Sequence, residues 1–272
     1  MKKDICGNSL YALKSKKLFL FDMDGTIYID GKLFDGVKEL FAKIKSAGGR
    51  YVFITNNSSK SLEERVAYLN GTGIVATKDD FMTSTMAAAE ILRDRFGDSK
   101  IFVQATKSCV KELIGYGLNL TEDYDESVAA ILVGYDTELT YEKMKKTCKM
   151  LTNLKVPYYA TNPDWVCPVD FGYAPDCGSM CFAYEKATGK TPIFIGKPTP
   201  FMIDACVKKY GFNKGQTLVI GDRLYTDIAS GVNAGVDTLF VLSGEGTFND
   251  IKAQGVNPTF VLDCVSELND IL

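Results

Sequence analysis

Lys17-Leu18-Phe19-Leu20-Phe21-Asp22-Met23-Asp24-Gly25-Thr26 is the stretch on which the reading of this chain turns. Leu18 to Phe21 are four apolar residues in a row, the pattern of a short strand buried on both faces of a parallel sheet. The run stops at two carboxylates, Asp22 and Asp24, followed by Gly25 and Thr26 where the chain must turn. The carboxyl ends of strands are where open α/β sheets hold their ligands. At ~4 Å and an effective dielectric of ~20 two such charges repel by on the order of 4 kcal/mol, a cost that a divalent cation would offset. With only oxygen ligands on offer, a hard ion such as Mg²⁺ suits the pair better than a softer metal. Asp and Gly are also ordinary turn residues, so these ten residues by themselves fit a turn as well as a metal site.

Working outward, Val37 to Ala47 has helical spacing, with Val37, Leu40, Phe41 and Ile44 on one face and Gly48-Gly49 at its end. Tyr51 to Ile54 is a second strand and runs into Thr55-Asn56-Asn57-Ser58-Ser59, so strand, helix, strand and polar loop begin a parallel βαβ sheet. Ser61 and Glu64 form a capping box for a helix to Asn70. Gly71-Thr72-Gly73 loosely resembles a dinucleotide loop but follows a helix, the wrong context for one. Phe81 to Thr83 is a short strand and Ser84 to Phe96 a helix.

From 101 to 160 a fresh alternation supplies a second α/β unit: strands at Ile101–Gln104, Val128–Val133 and Tyr158–Ala160, with helices at Ser108–Ile114 and Tyr141–Leu154. Thr161 to Cys177 is expected to be irregular; it holds three prolines and the only tryptophan, and long irregular loops are often functional. A helix at Ser179–Thr188 and a strand at Ile193–Ile195 follow, and then Gly196-Lys197-Pro198-Thr199-Pro200. Thr199 as N-cap and Pro200 at the first helical position open a helix that Gly211 closes. Leu218 to Ile220 leads into Gly221-Asp222-Arg223-Leu224-Tyr225-Thr226-Asp227, and strands at Asp237–Leu242 and Thr259–Leu262 complete the pattern.

The chain has 272 residues, 46% hydrophobic and 24% charged, a composition of folded globular domains. Its net charge of −3 and lack of a basic run argue against a nucleic-acid polymer or a membrane surface as partner. No signal-like N-terminus and no long apolar span are evident, so a cytoplasmic location is expected. Eight scattered cysteines read as reduced packing residues; Cys167, Cys177 and Cys181 match no common zinc spacing. The sequence has no histidine, which excludes Ser-His-Asp and Cys-His catalysis and leaves proton transfer to carboxylates, Lys, Tyr or Cys.

Four strand ends thus carry polar clusters: Asp22/Asp24, Thr55/Asn56, Lys197 and Asp222/Asp227. Each singly has an ordinary explanation, such as an acid at a helix start, but a parallel sheet brings all four to one edge. With Asp22-Met23-Asp24-Gly25-Thr26, Thr55-Asn56, Lys197 and Gly221-Asp222 to Asp227, the chain resembles a haloacid dehalogenase-superfamily phosphatase. Ile54-Thr55-Asn56-Asn57, Thr161-Asn162-Pro163-Asp164, Gly196 to Pro200 and Gly221 to Ile228 are similar to its NagD-like branch.

That resemblance, which spans nearly the whole chain, implies an α/β fold. A Rossmann-like core of 1–83 and 179–272, with a parallel sheet and helices on both faces, would carry an inserted smaller α/β cap at 84–178. It implies Asp22 as nucleophile forming an aspartyl-phosphate and Asp24 as proton donor and then base. Mg²⁺ would be held by the Asp22 carboxylate, the Asp24 carbonyl and Asp222. Lys197, Thr55 and Asn56 would bind the phosphoryl group, and Asp227 would orient water or Lys197. Asn162, Asp164 and Trp165 of the irregular stretch are the candidates for substrate specificity. The substrate would be a small phosphorylated metabolite: a sugar phosphate, a nucleotide monophosphate or a phosphoglycolate-like acid. A phosphotransferase or mutase would use the same chemistry, whereas a receiver-type phospho-acceptor switch would need only about half the chain and no inserted cap, and Asp24 would favour rapid hydrolysis over a held phosphate. Self-association into a homo-oligomer is left open.

Overall fold

The computed structural model describes residues 2–29, 31–169 and 171–272. In chain order the first elements are β1 (Leu18–Phe21), β2 (Tyr28–Ile29), β3 (Lys32–Leu33), α1 (Val37–Ser46), β4 (Arg50–Thr55), α2 (Leu62–Gly71), β5 (Phe81–Thr83) and α3 (Ser84–Phe96). Then come β6 (Ile101–Gln104), α4 (Lys107–Gly115), β7 (Leu120–Thr121), β8 (Ala130–Val133), α5 (Tyr141–Asn153), β9 (Tyr158–Ala160), β10 (Val166–Val169), β11 (Gly172–Pro175) and α6 (Cys177–Thr188). The last are β12 (Ile193–Phe194), α7 (Phe201–Tyr210), β13 (Thr217–Gly221), α8 (Ala229–Ala234), β14 (Asp237–Val241), α9 (Phe248–Gln254) and β15 (Phe260–Leu262). The chain divides into two units, one of 1–55, 66–82 and 197–272, the other of 56–65 and 83–196.

The first unit is built on a six-stranded sheet in the order β15-β14-β13-β1-β4-β5, flanked by helices. β1 is central and pairs in parallel with β13 and β4, so Phe21 lies between Ile220 and Phe53. All four of its residues are buried, which is why it reads as an unbroken apolar run. α1 lays Val37, Leu40, Phe41 and Ile44 inward, and Phe41 meets Phe21, Tyr51 and Phe53 at ring-centroid distances of 5.2, 4.4 and 5.6 Å. Burying each such ring contributes on the order of 2–3 kcal/mol, and truncating Phe41 would forfeit that and open a cavity besides.

The second unit has its own five-stranded sheet, β12-β9-β8-β6-β7, in which every pair is parallel. α5 and α6 cover part of it through Met150, Leu151, Met180 and Tyr184, against Phe102 and Ile131. All eight cysteines are free thiols, and four of them, Cys148, Cys167, Cys177 and Cys181, belong to that core or pack against it, as expected for packing residues.

Three features depart from the sequence reading. The strand at 193–195 was assigned to the same unit as Lys197, but β12 pairs with β9, placing Ile193 beside Tyr159, so the second unit runs to Gly196 rather than to 178. Alternation of strands and helices shows that a strand exists, not which sheet takes it. The stretch 161–177 is partly regular: β10 and β11 form an antiparallel hairpin, with Val166 opposite Pro175 and Val169 opposite Gly172. α6 begins two residues before Ser179, because the Asp176 side chain accepts from the Cys177 N–H and caps it there. No helix among the described residues is long and apolar enough to cross a membrane.

Candidate active site

Asp22, Asp24, Thr55, Lys197, Asp222 and Asp227 all belong to the first unit. Three neighbouring strands position them. Asp22 extends β1 by one ladder bond, its N–H donating to the Ile220 carbonyl at 2.8 Å. Thr55 is the last residue of β4, and Asp222 directly follows β13. Asp227 sits on a single π-helical turn, Leu224–Ile228, whose wider spacing recurs at functional sites. The turn brings the Asp227 side chain back beneath Gly221, where a Cβ would lie 2.2 Å from the Asp227 Cβ.

Lys197 is the hub of the cluster. Its ammonium donates to Asp22 Oδ1 and to Asp227 Oδ1, both at 2.6 Å, and to the Ile54 carbonyl at 3.3 Å. The other Asp227 oxygen accepts from the Arg223 N–H at 3.1 Å. Lys197 is 3% exposed, and burial alone would depress its pKa, but the two carboxylates outweigh that and hold it above the usual lysine value.

One ligand oxygen from each of Asp22, Asp222 and Asp227 lies within 4.8 Å of the others, so three carboxylates face one lysine. The imbalance is visible in their protonation. Burial, reinforced by the charge of Asp22, pushes Asp222 up to about 6 and Asp227 up to about 7. A buried, all-oxygen cluster with surplus negative charge fits a hard divalent cation and does not fit a soft one.

The turns around Asp222 are shaped to hold it still. Thr26 Oγ1 donates to Asp222 Oδ1 at 3.2 Å, and the Glu245 N–H donates to Asp222 Oδ2 at 2.8 Å. Gly25 has φ +79°, and a Cβ there would come within 2.4 Å of Asp222 Oδ2, so both its backbone conformation and the space require glycine. Asp24 is exposed, unlike its buried neighbours Met23 and Gly25, so its carboxyl faces outward while Asp22 is drawn inward by Lys197.

The remaining candidates belong to the second unit. Asn56 is buried, and its side-chain amide donates to Asp164 Oδ2 at 2.9 Å. Asn162 is buried too, its amide shared between Asp164 Oδ2 and Asp176 Oδ1 at 2.9 Å each. These bonds order the loop, so Asn162 has a holding task rather than an open face for substrate. Trp165 differs, 58% exposed with its ring 5.5 Å from Phe182.

Sequence reasoning overlooked Thr26 as a support for Asp222 and the loop Ser243-Gly244-Glu245-Gly246 altogether. The signal for the loop was present. It is a fifth strand end, after β14, that turns at once into small and polar residues, as the other four do.

Comparison with known proteins bears on this geometry. Residues 19–119 match a family model described as haloacid dehalogenase-like hydrolase, and residues 194–268 match one described as HAD-hydrolase-like. An acid sugar phosphatase of Staphylococcus saprophyticus is 30% identical over 260 residues, 96% of this chain and 98% of the relative. A 4-nitrophenylphosphatase of Thermotoga maritima has a solved structure similar at TM-score 0.90 and 37% identity, covering 96% of this chain and 99% of the other. A glycerol phosphate phosphatase of Mycobacterium tuberculosis, solved in complex with magnesium, is similar at TM-score 0.84 and 28% identity, over 92% of this chain and 75% of its own.

Proposed function

This chain belongs to the haloacid dehalogenase-like hydrolase family, in its NagD-like branch, and on that premise we propose that it uses Mg²⁺ to hydrolyse small phosphomonoesters through an aspartyl-phosphate on Asp22. It is a hydrolase of phosphoric monoesters. The observation that carries the mechanism is the Lys197 ammonium held at 2.6 Å from both Asp22 and Asp227, with Asp222 alongside.

An Asp22 carboxylate oxygen attacks phosphorus as the bond to the leaving oxygen breaks, and Asp24 gives its proton to that oxygen, so an alcohol departs. Asp24, now a carboxylate, takes a proton from water as the water oxygen attacks the aspartyl-phosphate. The phosphorus–oxygen bond to Asp22 breaks, inorganic phosphate leaves, and both aspartates return to their starting forms. The exposure of Asp24 suits this task, since a proton donor must reach the leaving group rather than the cluster.

Lys197 keeps Asp22 aimed, and adds positive charge where the phosphoryl oxygens arrive. Asp227 holds Lys197 in place; the Thr55 hydroxyl and the Asn56 N–H would donate to phosphoryl oxygens. Asp22, Asp222 and the Asp24 carbonyl would hold Mg²⁺, which when bound screens the dianionic phosphate from the carboxylates. The magnesium complex of the M. tuberculosis relative supports this choice of ion.

Substrate choice falls to the second unit, read as the inserted cap, with the exposed Trp165 beside its hairpin as the determinant. The acid sugar phosphatase and glycerol phosphate phosphatase relatives favour a sugar or polyol phosphate. Phosphate release from para-nitrophenyl phosphate and a panel of sugar, polyol, nucleotide and carboxylate phosphomonoesters, with Mg²⁺ and with chelator, tests the reading. Turnover that ignores chelation, or that survives Asp22→Asn, would overturn it.

A further inference from the structure

The loop Ser243–Gly246 ties together the two turns that carry the acidic cluster. Ser243 Oγ donates to the Gly25 carbonyl at 2.7 Å, the Glu245 N–H to Asp222 Oδ2 at 2.8 Å, and the Gly246 N–H to the Asp222 carbonyl at 3.1 Å. The approach is so close that a Cβ on Gly244 would lie 2.0 Å from Asp222 Oδ2. The Glu245 carboxylate, about half exposed, pairs with Arg223 Nε at 2.8 Å and accepts from Tyr225 Oη at 3.4 Å. Arg223 immediately follows Asp222 in the chain, so a guanidinium is tethered one residue from a proposed metal ligand.

That placement poses an electrostatic problem. An arginine beside a cluster of three carboxylates is a ready competitor for a divalent cation, because its planar fork matches a carboxylate. The carboxylate that engages Arg223 comes from the same residue whose N–H fixes Asp222.

We propose that Glu245 is a positioning residue for the metal: its backbone orients Asp222 while its side chain pairs with Arg223 and keeps that guanidinium from forming an ion pair within the acidic cluster. The inference rests on the metal-dependent reading above and concerns what keeps that site open to the ion. Glu245 does not touch substrate. It acts through Asp222 and Arg223.

Mg²⁺ affinity, measured by titration calorimetry on the full chain without substrate, tests it together with the Mg²⁺ concentration giving half-maximal turnover. Glu245→Gln, which keeps the size of the side chain but loses the ion pair with Arg223, is expected to weaken Mg²⁺ binding by about tenfold, the lower end for losing a partner that orients a metal ligand. Glu245→Ala should do the same. Arg223→Ala is expected to leave affinity unchanged or tighter, and the double variant Glu245→Ala/Arg223→Ala to return to within about threefold of wild type. A merely structural loop would make both single changes weaken binding and the double change weaken it further, and that result would overturn the proposal. Wild-type Mg²⁺ affinity in Glu245→Gln would also sink it, while leaving the phosphatase reading intact. Failure of the wild-type chain to bind Mg²⁺ would remove both.

Discussion

Both units of this molecule are parallel sheets whose strands end in polar residues, yet the carboxylates near those ends are balanced differently in the two. In the first unit, Asp22, Asp222 and Asp227 converge on Lys197, and burial, reinforced by the charge of Asp22, raises the pKa values of Asp222 and Asp227. In the second, Asp136 is met by Lys143 at 2.9 Å, by the Gln104 amide at 3.2 Å and by the Glu138 N–H at 3.0 Å. Asp164 and Asp176 are likewise bridged by Asn162. A buried carboxylate matched by its donors is architecture, whereas one left with surplus charge suits the cation proposed above. One topology therefore carries surplus charge at the strand ends of one half and matched charge in the other, and the difference is the local charge balance.

Removing the nucleophile should break the contrast most completely. Asp22→Asn should lower kcat by at least ~10⁴-fold in a phosphate-release assay, because no other group in the cluster can accept the phosphoryl group at that position. Lys197→Met comes next. It leaves Asp227 buried without its cation, so denaturant unfolding should show a loss of about 3 kcal/mol along with a kcat reduced by ~10²-fold or more.

The surplus charge also predicts a pH signature. For Asp222 and Asp227 the folded-state values of about 6 and about 7 lie above the ordinary aspartate value of 3.8, so the folded state binds more protons than the unfolded one between them. Their contribution to stability is present in full below pH 3.8 and is lost as pH rises through about 7. In chelator the melting temperature should therefore carry a component that falls across that window, and Mg²⁺ should stabilise the chain more at pH 8 than at pH 5. Equal Mg²⁺ stabilisation at both values would contradict the charge argument.

Smaller effects are expected from the second unit. Asn162→Ala leaves Asp164 and Asp176 each short of a donor and should cost about 1–3 kcal/mol in denaturant unfolding with Mg²⁺ affinity unchanged. Trp165→Ala should alter stability by less than ~1 kcal/mol and change KM for natural phosphomonoesters more than kcat for para-nitrophenyl phosphate.

Much of this was legible in the residues. Apolar runs such as Leu18–Phe21 and Tyr51–Ile54 end in Asp, Thr or Asn, and that abrupt change marks both a buried strand and its functional end. The periodicity of α1 identified its buried face residue for residue. What periodicity lacks is information on partners. It could not tell that β12 joins β9, because a two-residue strand looks alike in either sheet. Nor could it foresee the hairpin at 166–175, whose edge residues Trp165, Val166 and Tyr173 are exposed and show no alternating pattern.

The chain by itself determined the main alternation of strands and helices, the chemical class of the strand ends it marked and the absence of histidine chemistry, since these depend on local spacing and residue type alone. Only the tertiary structure decided the balance of charge. It joined Lys197 to both Asp22 and Asp227, brought Ser243–Gly246 against Asp222, and placed Asn162 in a closed network. Those assignments depend on distances between residues as many as two hundred positions apart in the chain, and pairing across such separations is settled by how the sheet packs rather than by any local preference.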